Sequence, residues 1–190
     1  GMIEYRSAFE ALPGARLVGS SAKVIQLTQS KSATKQVVKK AGLPAPDSLA
    51  TKSKEEMQAL LLEVSKLGKQ VIVKPDNTDN SKGLSLVHDS SNSEALANAL
   101  EKARQQSSQI LIEAYIAGRE IRTCVVETKE GFTVPAMVEY HVSEEHPIRE
   151  EADKLMLNTE GIPIAQSAYK NVAATCPACL DEALQQKLRN

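Results

Sequence analysis

The residues best placed to do chemistry stand at the end of a short β-branched run. Val71-Ile72-Val73-Lys74-Pro75 reads as a buried strand that Pro75 must stop, so Lys74 leaves the sheet where its ammonium can meet a ligand. The following loop, Asp76-Asn77-Thr78-Asp79-Asn80-Ser81-Lys82-Gly83, is rich in turn-forming residues that can aim successive backbone N–H groups at one point. Gly83 permits close backbone approach. A point charge, hydroxyls and amide donors together suit phosphate oxygens. The Walker A pattern, G-x-x-x-x-G-K-[ST], is absent. Taken alone, the loop is a polar hairpin connection with a solvated lysine.

A second segment, Ile110-Leu111-Ile112-Glu113-Ala114-Tyr115-Ile116-Ala117-Gly118-Arg119-Glu120-Ile121, has the form strand, tight connection, strand. A planar base could take edge hydrogen bonds from the connecting backbone, and a carboxylate can accept two ribose hydroxyls. Taken singly, Glu113 and Glu120 are solvated charges on strand faces.

The elements that must position these residues follow from periodicity. Residues 1–30 are poorly patterned, with loop signals at Pro13-Gly14 and Gly19-Ser20-Ser21. A helix is expected from Ser32 to Ala41, with Val37, Val38 and Ala41 on one side, stopped by Gly42 with Pro44 beyond. Ser53 with Glu56 fits a capping box before a helix carrying Met57, Leu60, Leu61, Val64 and Leu67 and closed by Gly68. Strands are expected at 70–75, 84–87 and 109–113. Ser91 with Glu94 opens a helix to about Arg104 that carries Leu96, Ala99, Leu100 and Ala103 inward. Residues 120–127 and 132–140 read as an antiparallel pair joined through Lys129-Glu130-Gly131. Residues 141–175 are expected to form a long, partly irregular loop, and Leu180 to Leu188 a helix cut off before any cap.

The order and spacing of these pieces resemble the ATP-grasp superfamily, and most closely its D-alanine–D-alanine ligase-like branch. The resemblance runs through Val18-Gly19-Ser20, Lys31 with Thr34-Lys35, Ala41-Gly42-Leu43-Pro44-Ala45-Pro46, and Val71-Ile72-Val73-Lys74-Pro75 with Ser81-Lys82-Gly83. It continues through Ile112-Glu113, Gly118-Arg119-Glu120 and Cys176-Pro177-Ala178. It implies an α+β fold, an antiparallel sheet with helices on one face, flanked by partial segments. The divisions would be 1–45 (an N-terminal remnant with a short helix), 46–140 (the nucleotide-binding part) and 141–190 (a loop and the start of a C-terminal catalytic part). It implies that Lys31 and Lys74 contact ATP phosphates and that Ser81 and Gly83 sit in a loop over them. Glu113 with the backbone of Ala114 and Ile116 would hold adenine, Glu120 would bind the ribose hydroxyls, and Lys154 would match a lysine near the γ-phosphate. The phosphate loop has less Gly and Ser than the family's. The ligands for Mg²⁺ and an arginine for the developing oxyanion would lie beyond Asn190.

The implied function is therefore the ATP-binding part of an ATP-dependent carboxylate–amine ligase acting through an acyl phosphate. D-Alanine–D-alanine ligation is the leading substrate pair, and the chain is expected to bind nucleotide without completing turnover. The alternatives are an ATP-grasp ligase with a different acceptor, and a truncated or degenerate module that binds nucleotide or a partner without catalysis.

Composition bounds these readings. A formal net charge of -1 gives no broad field for nucleic acid or an anionic membrane, and 3% aromatic residues without Trp leave no base-stacking platform. No apolar targeting stretch follows Gly1 and Met2, and the 3 cysteines suit a reducing compartment, so a cytoplasmic location is expected. The partner expected is a small-molecule nucleotide, with a homodimer left open. Cys176-Pro177-Ala178-Cys179 lacks the βαβ context of a redox motif and a second pair for zinc. His141, Glu144, Glu145 and His146 are spaced one residue too widely for the inverted zincin pattern. Cys124 reads as a small buried residue in mid-strand, and His88 as unpaired.

Overall fold

The computed structural model describes residues 2–52, 57–154 and 172–189. The chain divides into two compact units, residues 1–115 and 116–190.

In the first unit, helices α1 (Met2–Glu10), α2 (Ala22–Gln29) and α3 (Lys31–Lys40) precede strand β1 (Ser48–Lys52). Helix α4 (Met57–Ser65), strands β2 (Val71–Pro75) and β3 (Ser85–Val87), helix α5 (Ser93–Arg104) and strand β4 (Gln109–Ala114) complete it. The four strands form one antiparallel sheet in the order β1-β4-β2-β3. Alternation along each strand sends Val71, Val73, Ile110 and Ile112 to one face, where they pack with Leu60 and Val64 of α4 and Leu96, Ala99, Leu100 and Ala103 of α5. Each such aliphatic side chain, once buried, contributes about 1.5–3 kcal/mol. The inward residues expected on α5 are all buried. Ile72, Lys74, Leu111 and Glu113 alternate to the opposite face.

Several expectations need correction here. Residues 1–30 hold two helices that their pattern did not announce. α1 and α2 bury only Ala22 among the side chains described, so no apolar stripe marks them. Polar contacts tie them instead: Arg6 donates to the carbonyls of Val18 (2.9 Å) and Gly19 (3.0 Å), and Glu10 accepts from the Ala22 amide (3.2 Å). α3 ends at Gly42 in the left-handed conformation (φ 76°), as expected, but Val37 on its apolar side is 48% exposed. β1 was not expected; Ser48–Lys52 is an edge strand lacking a β-branched run, and pairing with β4 defines it. The cap of α5 is Asn92, which accepts from Ala95 N (3.0 Å), while Ser91 turns its hydroxyl to Asp89 (2.6 Å). His88 is not alone, since its Nδ1 meets Gln70 Nε2 at 3.3 Å. The Ser53–Glu56 capping box lies outside the described residues, as does much of the 141–175 segment.

The second unit contains β5 (Glu120–Thr123), β6 (Val126–Thr128), β7 (Gly131–Thr133), β8 (Met137–Tyr140), a 3₁₀ turn at Glu151–Asp153, β9 (Ala174–Thr175) and α6 (Glu182–Arg189). The expected pair of long strands is split in two. β5 pairs with β8, while β6 and β7 form a separate two-stranded hairpin. Pro135, between β7 and β8, cannot donate to a ladder and separates the two. Cys124 falls in the gap between β5 and β6 and is exposed, not buried. β9 extends the β5-β8 sheet from the segment read as irregular. Met137, Ala178 and Leu180 form a small core on one side, joined by Ile121, Val134 and Leu184. Arg119 forks onto Glu139 at 2.6 and 2.7 Å and also donates to the Cys179 carbonyl at 2.7 Å. α6 is capped by Asp181, whose carboxylate accepts from Leu184 N at 2.8 Å. Among the described residues no helix is long and apolar enough to cross a membrane.

Candidate functional site

The site in the first unit grows from the pairing of β2 with β4. Lys74 lies directly opposite Leu111, and Glu113 opposite Ile72, so Lys74 and Glu113 are diagonal neighbours on the face away from α4 and α5. The Lys74 ammonium pairs with Glu113 Oε1. The other carboxylate oxygen, Oε2, is met by Lys35 Nζ at 2.5 Å, and Lys35 also donates to the Pro46 carbonyl at 3.0 Å. Side-chain exposures of 11% for Glu113, 12% for Lys35 and 19% for Lys74 place this trio largely out of water. Burial by itself would push the Glu113 carboxyl up; the Lys74 charge and hydrogen bonds from Lys35 and Lys74 outweigh it and hold the carboxyl below the usual carboxylate range.

Lys31 opens α3, one helical turn before Lys35, so the two ammoniums leave the same side. Lys31 Nζ donates to the carbonyls of Pro75 (2.9 Å), Asp76 (3.2 Å) and Thr78 (2.6 Å), which fasten the start of the 76–83 loop to the helix. Burial and the neighbouring Lys74 charge lower its pKa, against the opposing pull of Asp76, Asp79 and Glu113. Asp76, only 3% exposed, accepts from Ser30 Oγ (2.7 Å), Ser32 N (2.7 Å) and Ser32 Oγ (3.0 Å). A carboxylate at this position satisfies one free amide of the first turn of α3, that of Ser32, and complements the helix dipole. Three lysines thus stand around one end of the sheet.

The loop itself turns through left-handed Asn80 and Ser81, at φ 55° and 60°. Ser81 is half-buried, and Leu84 N donates to its carbonyl at 3.1 Å. Gly83 is buried against Pro75 at φ 70°; a Cβ there would stand 2.8 Å from Pro75 Cγ. The glycine is thus required by packing at the loop's base. The Ala114 amide already donates to the Asp47 carbonyl at 2.9 Å.

Within the second unit, Ile116 is 68% exposed. Glu120 accepts from Arg149 Nη1 at 3.1 Å. Lys154 follows the 3₁₀ turn, half-buried; burial first and then Arg149 lower its pKa, while Glu120 acts in the opposite sense. His141 meets Thr175 Oγ1 at 2.6 Å and His146 meets Asp153 Oδ2 at 2.7 Å, so the two imidazoles serve separate contacts. Among the described residues no group of three or more His, Cys, Asp or Glu side chains could hold a metal ion.

Sequence reasoning missed Lys35, Asp76 and Arg149 as parts of these clusters. Lys35 was legible, because its spacing from Lys31 puts both on one side of a helix. Asp76 and Arg149 were not, since each acts on a residue far away in sequence.

Comparison with known proteins gives the family and the fold. Residues 37–189 match the family model described as D-ala D-ala ligase C-terminus, so Lys31 and Lys35 precede the matched range. A D-alanine–D-alanine ligase of Thermoanaerobacter sp. (strain X514) is 36% identical over 111 residues, which cover 57% of this chain and 30% of that protein. Among solved structures, the VanG D-Ala:D-Ser ligase from Enterococcus faecalis superposes with a TM-score of 0.72 at 21% identity, over 97% of this chain and 48% of that one. The Bacillus anthracis D-alanine–D-alanine ligase complexed with ATP gives a TM-score of 0.66 at 20% identity, over 97% of this chain and 50% of that one. The chain thus spans half or less of each of these relatives. With a family match over most of its length and this structural likeness, the chain belongs to the D-Ala–D-Ala ligase C-terminal family and has the ATP-grasp fold.

Proposed function

We propose that this chain forms the ATP-binding part of a carboxylate–amine ligase, with D-alanine as both carboxylate and amine donor. The observation that carries the reading is the convergence of Lys31, Lys35 and Lys74 beside the 76–83 loop, with one carboxylate, Glu113, between two of the ammoniums. Three ammoniums held around one loop supply point charges suited to phosphate oxygens, with Asp76, Asp79 and Glu113 as the carboxylates among them.

In this reading Lys74 contacts the phosphates, and Lys31 contributes both charge and the fixed shape of the loop. Ser81 faces the phosphates over a base held by Gly83. Glu113, with the chain at Ala114 and Ile116, serves the adenine edge. In the second unit Glu120 accepts the ribose hydroxyls and Lys154 serves the γ-phosphate. Transfer of that phosphoryl group to a carboxylate makes an acyl phosphate, which an amine then attacks. Charge builds on the transferred group, and lysines fixed before the reaction stabilise it without reorganising. Mg²⁺ supplies further neutralisation in phosphoryl transfer. Among the described residues no group of three or more His, Cys, Asp or Glu side chains is gathered to hold it.

Calorimetric titration with ATP and with adenosine tests the reading. Lys74→Ala should weaken ATP at least tenfold, about the worth of one charge-assisted contact, and leave adenosine nearly unchanged. Unchanged ATP affinity removes Lys74 from the phosphate site.

A further inference from the structure

Glu120 and Arg149 form a pair whose asymmetry points beyond simple charge neutralisation. Strand register sets Glu120 of β5 directly opposite Tyr140 of β8, so the two side chains share one face of the sheet. Arg149 covers that face: its guanidinium carbon lies 3.4 Å from the Tyr140 ring centroid, and its Nη1 donates to Glu120 Oε1 at 3.1 Å. Arg122, on the same face of β5, approaches the same ring at 5.3 Å. The arginine side chain is 6% exposed and the glutamate side chain 40% exposed. Arg149 is therefore too deeply placed to meet a ligand itself, whereas Glu120 is open to one. One carboxylate oxygen is anchored from below, and the acceptor sites facing solvent are left in a fixed direction.

We infer that Arg149 is a positioning residue that fixes Glu120 for two adjacent hydroxyls and so sets selectivity for a ribonucleotide over its 2′-deoxy analogue. The inference rests on the proposed role of Glu120 at the ribose. A carboxylate held on one oxygen presents a defined pair of acceptors, and a ligand lacking one hydroxyl leaves one of them unmatched. A carboxylate free to rotate would lose that discrimination, because it can reorient toward whichever single hydroxyl is present. The stacking on Tyr140 restricts the guanidinium plane, so the direction of the Nη1 donor is set by the sheet and not by a flexible stem.

The experiment is titration of the full chain with ATP and with 2′-deoxy-ATP, with folding followed by circular dichroism. The parent should prefer ATP. Arg149→Met should weaken ATP about tenfold and 2′-deoxy-ATP by no more than about threefold, so the preference collapses. Arg149→Lys should restore part of it. Tyr140→Leu, which removes the stacking ring and keeps both charges, should lower the preference by about threefold, and it carries the test if Arg149→Met does not fold. An equal loss for both nucleotides in folded variants, or an unchanged preference, overturns the inference. A preference that survives Glu120→Gln instead overturns the ribose role of Glu120, and absence of ATP binding by the parent overturns the proposed function; the inference falls with either.

Discussion

Replacing Glu113 by Gln tests the electrostatic core of the first unit. The substitution keeps the side-chain shape but removes the one negative charge between Lys35 and Lys74, whose own side chains are 12% and 19% exposed. Breaking a fully buried ion pair by removing one partner costs about 3–5 kcal/mol. Here both ammoniums keep some contact with water, and Lys35 retains the Pro46 carbonyl, so a loss of about 2–3 kcal/mol at neutral pH is expected. With a urea slope of about 2 kcal/mol/M, the middle of the usual range, the unfolding midpoint should fall by about 1–1.5 M. The effect has a defined pH dependence. Glu113 has a folded pKa below its unfolded value, so its contribution is complete above the unfolded glutamate pKa of about 4.3 and is lost as pH falls through the lower folded value. The gap between parent and Glu113→Gln should therefore stay constant from pH 8 to about 5 and narrow below about pH 4. Urea titrations followed by circular dichroism across this range provide the measurement. A gap that is absent at neutral pH, or that persists undiminished in acid, would show that the two lysines do not stabilise the folded carboxylate.

Two further substitutions probe how the 76–83 loop is held. Asp76→Ala removes the acceptor for the Ser30 and Ser32 hydroxyls and the Ser32 amide, and should lower stability by about 1–3 kcal/mol in urea unfolding; an unchanged midpoint would mean that the Ser30 cap on Ala33 N holds the start of α3 by itself. Gly83→Ala forces a Cβ to within 2.8 Å of Pro75 Cγ at a left-handed φ, and should cost about 1–3 kcal/mol in thermal unfolding; a neutral result would show that the loop's base can yield.

The sheet and its two covering helices were legible because their signals are local. The β-branched run of β2 and the helical spacing of Leu96, Ala99, Leu100 and Ala103 are each sufficient alone. α1 and α2 were not legible, because one Arg6–Glu10 ion pair and contacts from those two side chains to the backbone of Val18, Gly19 and Ala22 hold them in place of an apolar stripe. β1 has its identity from its partner, and the β5–β8 pairing required Pro135 to be read as a break between two ladders. At the candidate site, Lys31, Lys74 and Glu113 were singled out from family order, and the strand register brings Lys74 and Glu113 together. The bond from the Ser32 amide to Asp76, which ties the loop to a helix more than thirty residues earlier, has no local signature, and neither has the stacking of Arg149 on Tyr140.

The most direct test of nucleotide recognition is calorimetric titration of the unsubstituted chain with ATP. A single saturable site with about one ATP per chain, weakened when Lys31, Lys35 or Lys74 is neutralised, is the predicted result. No saturable binding, or binding indifferent to all three lysines, would contradict the assignment of this cluster to the phosphates.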